Sequence, residues 1–233
     1  MLILGIETAT PQVSVAIGGH EGVLGQFEVS RGRRHAETLT PAIEFLCRQA
    51  DVEISEFGAI AVDIGPGLFT GMRVGLAAGK AIAQALRVPM IGISSLDLLA
   101  FPLRYTDRTI AAVIDARKGE LFYAFYLAVP GGIQRVTEPR VGSPDDLAAD
   151  LMARGQNVIL VGDGALRYRE ELDASIRCEF AEQFLSYPSA APLVQLAHAR
   201  ALREEWVNPW EIQPLYLRAP DAQINWSTRE VAS

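Results

Sequence analysis

Between Asp63 and Leu86 the chain reads DIGPGLFTGMRVGLAAGKAIAQAL, a glycine-rich turn that leaves an apolar strand and runs into a helical pattern. Gly67, Gly71, Gly75, Gly79 and Ala83 recur every fourth residue, so from Gly71 onward they form a slowly spiralling row without side chains on one helix face. Each glycine inside a helix costs roughly 0.5–1 kcal/mol relative to alanine, so the row needs a reason. Phosphate binding is a poor one. Lys80 follows Gly79 well inside the helix, Ala81 stands where a magnesium-binding Ser or Thr would be, and Gly65, Gly67 and Gly71 are spaced one residue too wide for a dinucleotide turn. Such a row lets another helix approach backbone to backbone, with Val74, Ala78, Ala81, Ile82 and Ala85 left to face a sheet. The approaching helix is either the one of the same lobe that carries Leu39 and Ile43 or one from a partner.

The order of elements around this stretch predicts an α/β lobe. LILGI, VSVAI and VLGQFEV read as an antiparallel meander. A helix through HAETLTPAIEFLCRQA puts Leu39, Ile43, Leu46 and Cys47 on one face, and GAIAVDIG and PMIGISS read as buried strands on either side of the glycine-bearing helix. From Arg104 the pattern starts again: TIAAVIDARKGELFYAFYLAV is a strand, a charged turn and a returning strand, followed by a polar helix from Pro144 to Arg154, the strand NVILVGDGA and a helix over Pro192 to Glu205. This echo predicts an internal duplication with lobes at 1–103 and 104–207. The tail from 208 to 233 has little helical periodicity and reads as an arm wrapping the first lobe.

Net charge −7, from 28 acids against 21 bases, argues against a continuous phosphate-gripping surface. Cys47 and Cys178 are far apart, so a disulfide framework is not expected and a reducing, cytoplasmic setting is. No apolar run reaches the length of a membrane span, and MLILGIE has no export signal.

The runs LGIETAT, RRHAETLTP, DIGPGLFTGMRVGLAAGKAIAQALRVPMIGISSLDLLA, AVIDARKGELFYAFY, VGDGA and PLYLRAPDA, in this order along nearly the whole chain, resemble the TsaB (YeaZ) family of tRNA-modification proteins. The resemblance implies two lobes of the actin and sugar-kinase (RNase H-like) type with a reduced second lobe. It also implies a non-catalytic role as the partner of a TsaD-like transferase that forms N6-threonylcarbamoyladenosine in tRNA. ATP and a metal ion would then belong to partner subunits, among them a TsaE-like ATPase, and tRNA would be met only through the complex. A homodimer is the expectation when the partner is absent.

The residues can be weighed beside that resemblance. In actin-like phosphotransferases the first hairpin uses an acid, a hydroxyl and backbone N–H groups to hold phosphate. Here the turn is Glu7, Thr8, Ala9, Thr10, Pro11 and Gln12, and Pro11 stands near the place of a further acid in catalytic TsaD proteins, with neither carboxylate nor N–H. Those relatives also carry a His-x-x-x-His pair where this chain has SSLDLL, with Ser95 and Leu99 or their neighbours in those places, so no metal site is expected there, and His20, His35 and His198 look scattered. Ser94 and Ser95 lack a nucleophile elbow. Asp115, Arg117 and Lys118, with Gly162 and Asp163 across the cleft and Glu7, Thr8 and Thr10, form a possible nucleotide site. An exposed hairpin tip and a tight turn account for the same second-lobe residues. Because TsaB-like proteins pair with TsaD through helices of the first lobe, the resemblance turns the glycine row outward and assigns His35, Leu39, Ile43, Leu46, Gly71, Met72, Gly75, Leu76, Gly79, Lys80 and Ala83 to the partner interface. The alternative is an actin-like phosphotransferase with a degenerate phosphate loop.

Overall fold

The computed structural model describes residues 1–218 apart from Arg33, Gln156, Ile176 and Arg177, and only the backbone of Ala174 and Ser175. The first lobe contains β1 (Leu2–Glu7), β2 (Val13–Gly19), β3 (Gly22–Val29), α1 (His35–Ala50), β4 (Phe57–Asp63), α2 (Phe69–Leu86), β5 (Met90–Ile93) and α3 (Ser95–Ala100). The second contains β6 (Thr109–Arg117), β7 (Glu120–Val129), β8 (Gly132–Arg135), β9 (Arg140–Gly142), α4 (Pro144–Arg154), β10 (Val158–Val161), α5 (Asp163–Arg167), α6 (Arg169–Ser175), β11 (Glu179–Phe180) and α7 (Ala190–Ala201).

The two sheets repeat one plan. Strands run β3-β2-β1-β4-β5 in the first and β8-β7-β6-β10-β11 in the second, with β9 added beside β7. In each, the first three strands pair antiparallel and the last two are added parallel to the first, as β1·β4·β5 and as β6·β10·β11. Successive residues of the inner strands bury opposite faces. Leu4, Ile6, Ile60 and Val62 face α1 and α2, while Ile3, Ala59 and Ala61 face the opposite layer. In the second sheet Ala111 and Val113 face α4 to α6, and Ile110, Ala112 and Ile114 face α3.

The terminal helices exchange lobes. Leu96, Leu99 and Ala100 of α3, which ends the first lobe, pack on the second sheet. In return α7, expected in the second lobe over Pro192 to Glu205, starts at Ala190 and covers the free face of the first sheet with Leu193, Val194 and Ala197. Small residues on the sheet admit it: a Cβ on Gly5 would lie 2.7 Å from Val194 Cγ1, and Ala190 N donates to Ser14 Oγ at 2.9 Å. Without α7 the apolar face of Ile3, Ala59 and Ala61 would be exposed, so burial and not chain order decides which sheet the helix covers.

Local chemistry sets the boundaries of α4. Ser143 caps it, its Oγ accepting from Asp146 N at 3.1 Å while Asp146 Oδ2 accepts from Ser143 N at 2.8 Å. Pro144 occupies the first turn, where no N–H is needed, and Gly155 ends the helix at φ 58°. From 208 to 216 the arm lies on the first lobe, and Leu217 and Arg218 then cross to the second. Val207, just before it, bridges Met90, Ile212 enters the core and Leu215 N donates to Ile64 O at 2.7 Å. Residues 219–233 of the expected arm lie outside the described residues.

Candidate functional site

The glycine row faces its own sheet, which corrects the outward reading. A Cβ on Gly71 would lie 2.1 Å from Thr8 O, on Gly75 2.4 Å from Thr8 Oγ1, and on Gly79 2.6 Å from Val62 Cγ1. The β1–β2 turn and strands β1 and β4 come close to this backbone, with His35 of α1 3.5 Å from the Gly71 position. Met72, Leu76 and Ala83 are buried beside the row, and His35, Leu39, Ile43 and Leu46 of α1 are buried in the same lobe. Of the residues assigned to the interface, only Lys80 is partly open to solvent. The correction follows from volume: α2 lies so close to β1 that a side chain on this face has no room.

Sealing of the first turn is the chemical consequence. Thr8 Oγ1 donates to Gly71 O at 2.8 Å, Leu68 N donates to Ala9 O at 2.6 Å, and Ala9 N is taken by Glu7 Oε1 at 2.7 Å. His35 Nε2 meets Thr10 O at 2.7 Å, and Gln12 N donates to Thr10 Oγ1 at 3.4 Å. Gly67 completes the seal, since its Cβ would lie 2.1 Å from Ala9 O. Hydroxyl and backbone groups that grip phosphate in actin-like phosphotransferases are here bonded within the protein, and Glu7, Thr8 and Thr10 are all buried. The turn does not fit a nucleotide phosphate.

Two carboxyl groups lie beneath it on neighbouring strand ends, Glu7 on β1 and Asp63 on β4, both buried. Asp63 Oδ1 accepts from Gly65 N and from Ser95 Oγ, each at 2.7 Å, while Asp63 Oδ2 and Glu7 Oε2 have no hydrogen-bond partner among the described residues. Burial pushes Asp63 up to about 7. Burial first, then the charge of Asp63, raises Glu7 well above the usual carboxylate range. Ser95, expected at or next to the place of a metal-binding histidine, is thus a donor to Asp63. Among the described residues no three His, Cys, Asp or Glu side chains are grouped as for a metal ion. His20 and His198, expected to be scattered, do meet, with ring centroids 6.3 Å apart.

The matching turn of the second lobe is polar and partly open. Asp115 Oδ2 pairs with Arg117 Nη1 at 3.0 Å and Arg167 Nη1 at 3.5 Å, and Asp115 N donates to Asp163 Oδ1 at 3.0 Å. Burial raises Asp163 to about 6. Gly162, at φ 114°, brings its backbone under β6, where a Cβ would lie 2.1 Å from Val113 O. Arg117, Lys118 and Gly119 are three successive residues in the left-handed region, which forms the tight hairpin. The structure therefore joins Asp115, Arg117, Gly162 and Asp163 in one cluster and separates it in kind from the sealed Glu7, Thr8 and Thr10.

Between the lobes lies a cleft of about 370 Å³ lined by Phe69 and Met72 from the first lobe, Arg117 and Lys118 from the second, and Tyr216 and Arg218 from the arm. Sequence reasoning missed the arm's part in it. Tyr216 lies against Phe69 with centroids 5.3 Å apart, the Arg73 guanidinium covers Phe69 at 3.8 Å, and Arg218 Nη1 donates to Glu120 Oε2 at 2.6 Å. Asp63 was missed as well, although an acid closing the apolar run AIAV was a visible signal.

Comparison with known proteins agrees with this fold. The family model described as "TsaD: tRNA N6-adenosine threonylcarbamoyltransferase" matches residues 23–226. An uncharacterised protein of Mycobacterium leprae is 34% identical over 95% of this chain, which spans 56% of that protein's length. The tRNA threonylcarbamoyladenosine biosynthesis protein TsaB of Escherichia coli is 28% identical, with 94% of this chain and 95% of that protein covered. YeaZ from Pseudomonas aeruginosa superposes with a TM-score of 0.78 at 28% identity, covering 93% of this chain and 99% of that one. A ROK hexokinase from Thermus thermophilus, at 15% identity and a TM-score of 0.51 over 88% of this chain and all of that one, shares the fold alone. The chain belongs to the TsaB (YeaZ) group of the TsaD-type tRNA N6-adenosine threonylcarbamoyltransferase family.

Proposed function

We propose that the chain is a non-catalytic subunit of a tRNA N6-adenosine threonylcarbamoyltransferase complex and that it binds and activates a TsaD-like partner. The sealed first turn carries this reading: the Thr8 hydroxyl is spent on Gly71 O of α2 and the Ala9 N–H on Glu7, and a phosphotransferase needs such donors free. The name of the E. coli relative supplies the process. ATP and the metal ion belong to partner subunits, one of them a TsaE-like ATPase, and tRNA is met through the complex. Free Cys47 and Cys178 fit a reducing cytoplasm, and no helix among the described residues is long and apolar enough to cross a membrane.

Docking falls to the outer faces of α1 and α2, since their inner faces are filled. Ala77, Ala81 and Ala85 are exposed at four-residue spacing on α2, and Phe45 of α1 is 49% exposed. Small side chains allow a partner helix close approach, and Phe45 supplies an apolar anchor. In the absence of the partner the same surface would pair two copies of this chain. The test is reconstitution with threonylcarbamoyl-adenylate and tRNA, read by nucleoside mass spectrometry. No product is expected from the chain alone, and product is expected once a TsaD-like transferase and a TsaE-like ATPase are added. Modified adenosine formed by the chain alone overturns the proposal.

A further inference from the structure

A second cavity, of about 450 Å³, lies between the β7–β8 turn and α7 and shares no lining residue with the front cleft. Its wall carries Arg135, Arg200 and Arg203 against one carboxylate, Asp97. Arg203 is matched by Glu205, with Nε to Oε1 at 2.6 Å and Nη2 to Oε2 at 3.2 Å. Arg135 and Arg200 are left to share Asp97. Asp97 Oδ1 accepts from Tyr126 OH at 2.9 Å and from Arg135 Nε and Nη2 at 3.2 and 2.6 Å, and Asp97 Oδ2 lies 3.9 Å from Arg200 Nη2. Arg200 Nη1 is held separately by Gly92 O at 2.8 Å.

Asp97 Oδ1 takes both Arg135 contacts and the Tyr126 hydroxyl, while Oδ2 faces Arg200 at 3.9 Å. With Glu205, whose charge also acts on Arg200, the three arginines face two carboxylates, and one positive charge is left over. Arg135 Nη1 and Arg200 Nε have no protein partner among the described residues, and the two side chains keep 31% and 37% of their surface open where they line the cavity. The turn leaves the space clear, because a Cβ on Gly131 or Gly132 would meet nothing within 4 Å. Rigid guanidinium forks with spare N–H groups and one unmatched charge suit a tetrahedral oxyanion, and holding them in advance lowers the entropy lost on binding.

We propose that this cavity binds a phosphate group, in which Arg135 and Arg200 together hold its oxygens. Two sources carry that chemistry, a free polyphosphate and the backbone of RNA. On the other side of the same turn Arg104 stacks over Tyr105 at 4.5 Å, and Tyr105 is 84% exposed, which continues the surface with a cation and an aromatic ring of the kind on which an RNA base stacks.

The test is a thermal melt of the full chain with increasing inorganic pyrophosphate, repeated with tRNA as competitor. The expected result is a saturable rise in melting temperature whose half-point moves at least tenfold higher in Arg200→Gln and less in Arg200→Lys, which keeps the charge and loses the fork. Arg200→Gln leaves Asp97 paired to Arg135, so it tests binding with the lobe junction intact. Lys118→Gln, in the front cleft, is expected to leave the half-point unchanged. If RNA is the source, tRNA displaces pyrophosphate and Tyr105→Ala weakens that competition alone. If a free polyphosphate is the source, tRNA does not compete, and both results support a phosphate site. A melt indifferent to millimolar pyrophosphate, an unchanged half-point in Arg200→Gln, or loss of the effect in Lys118→Gln overturns the proposal.

Discussion

The two lobes build one sheet plan twice and end the first hairpin of each with an acid, yet Glu7 is sealed in while Asp115 stays in reach of Arg117 and Arg167. The difference lies in the segment after the neighbouring parallel strand. After β4 the chain supplies Gly67, Gly71 and Gly75, and the long helix α2 closes on the β1–β2 turn until carbonyls and hydroxyls bond across it. After β10 the chain supplies Gly162 and Asp163 and only the short α5, which leaves the β6–β7 turn polar and partly open. A shared scaffold thus carries a closed turn in one lobe and an open one in the other, and the side chains of one helix face decide which.

That comparison breaks most sharply at Gly71. Gly71→Val would drive its side chain into Thr8 O, and we expect a loss above about 4 kcal/mol or no folded protein, with Gly71→Ala costing roughly 1–3 kcal/mol by overpacking. Gly132→Ala, where a Cβ meets nothing, should stay within about 0.5 kcal/mol. Chemical denaturation of the three proteins checks the contrast, and a stable Gly71→Val protein would place α2 away from the turn.

Next in size is the acid pair. Raised folded-state values mean that the native protein keeps protons which the unfolded chain releases above about pH 4, so stability is full below that range and falls as pH rises toward 7. Asp63→Asn and Glu7→Gln keep the accepting oxygen and remove the charge. Each should flatten the decline and raise stability at pH 8, by up to roughly 4 kcal/mol for Asp63. Denaturation midpoints between pH 4 and 8 test this, and a wild-type profile that rises across that window contradicts it.

Much of this architecture is legible in the sequence. The apolar strands, the helix HAETLTPAIEFLCRQA and the Pro144 start of α4 can be read at or near their observed bounds, because unbroken apolar runs and local hydrogen bonding fix them. The glycine row is legible as a close approach, but its direction is not. A row without side chains tells how near a neighbour comes and nothing about which neighbour, and here it is the turn carrying Thr8, 63 residues away from Gly71. Arg135 and Arg200 are illegible for the same reason: they meet at Asp97, across the helix exchange that places α7 on the first sheet.

Smaller effects sharpen the picture of the outer surface. Ala81→Arg, on the exposed face of α2, should weaken a TsaD-like partner by tenfold or more, about 1.4 kcal/mol, with an unchanged melt. Calorimetry against that partner checks it, and unchanged affinity moves the interface elsewhere. Arg167→Ala, whose side chain is 58% exposed beside Asp115, should cost less than about 1 kcal/mol, because Arg117 still pairs that carboxylate. A larger loss in a melt would make the second turn as tightly built as the first.

The sealed first turn is most directly tested by a magnesium-ATP titration followed through the backbone amides of Thr8, Ala9, Thr10 and Leu68. Because the Ala9 and Leu68 amides, the Thr8 hydroxyl and the Thr10 carbonyl are bonded within the protein, the resonances of this turn should stay in place at millimolar nucleotide, whatever moves around Arg135 and Arg200. Saturable shifts at Thr8 to Thr10 would show that the turn opens to phosphate, and would contradict the account.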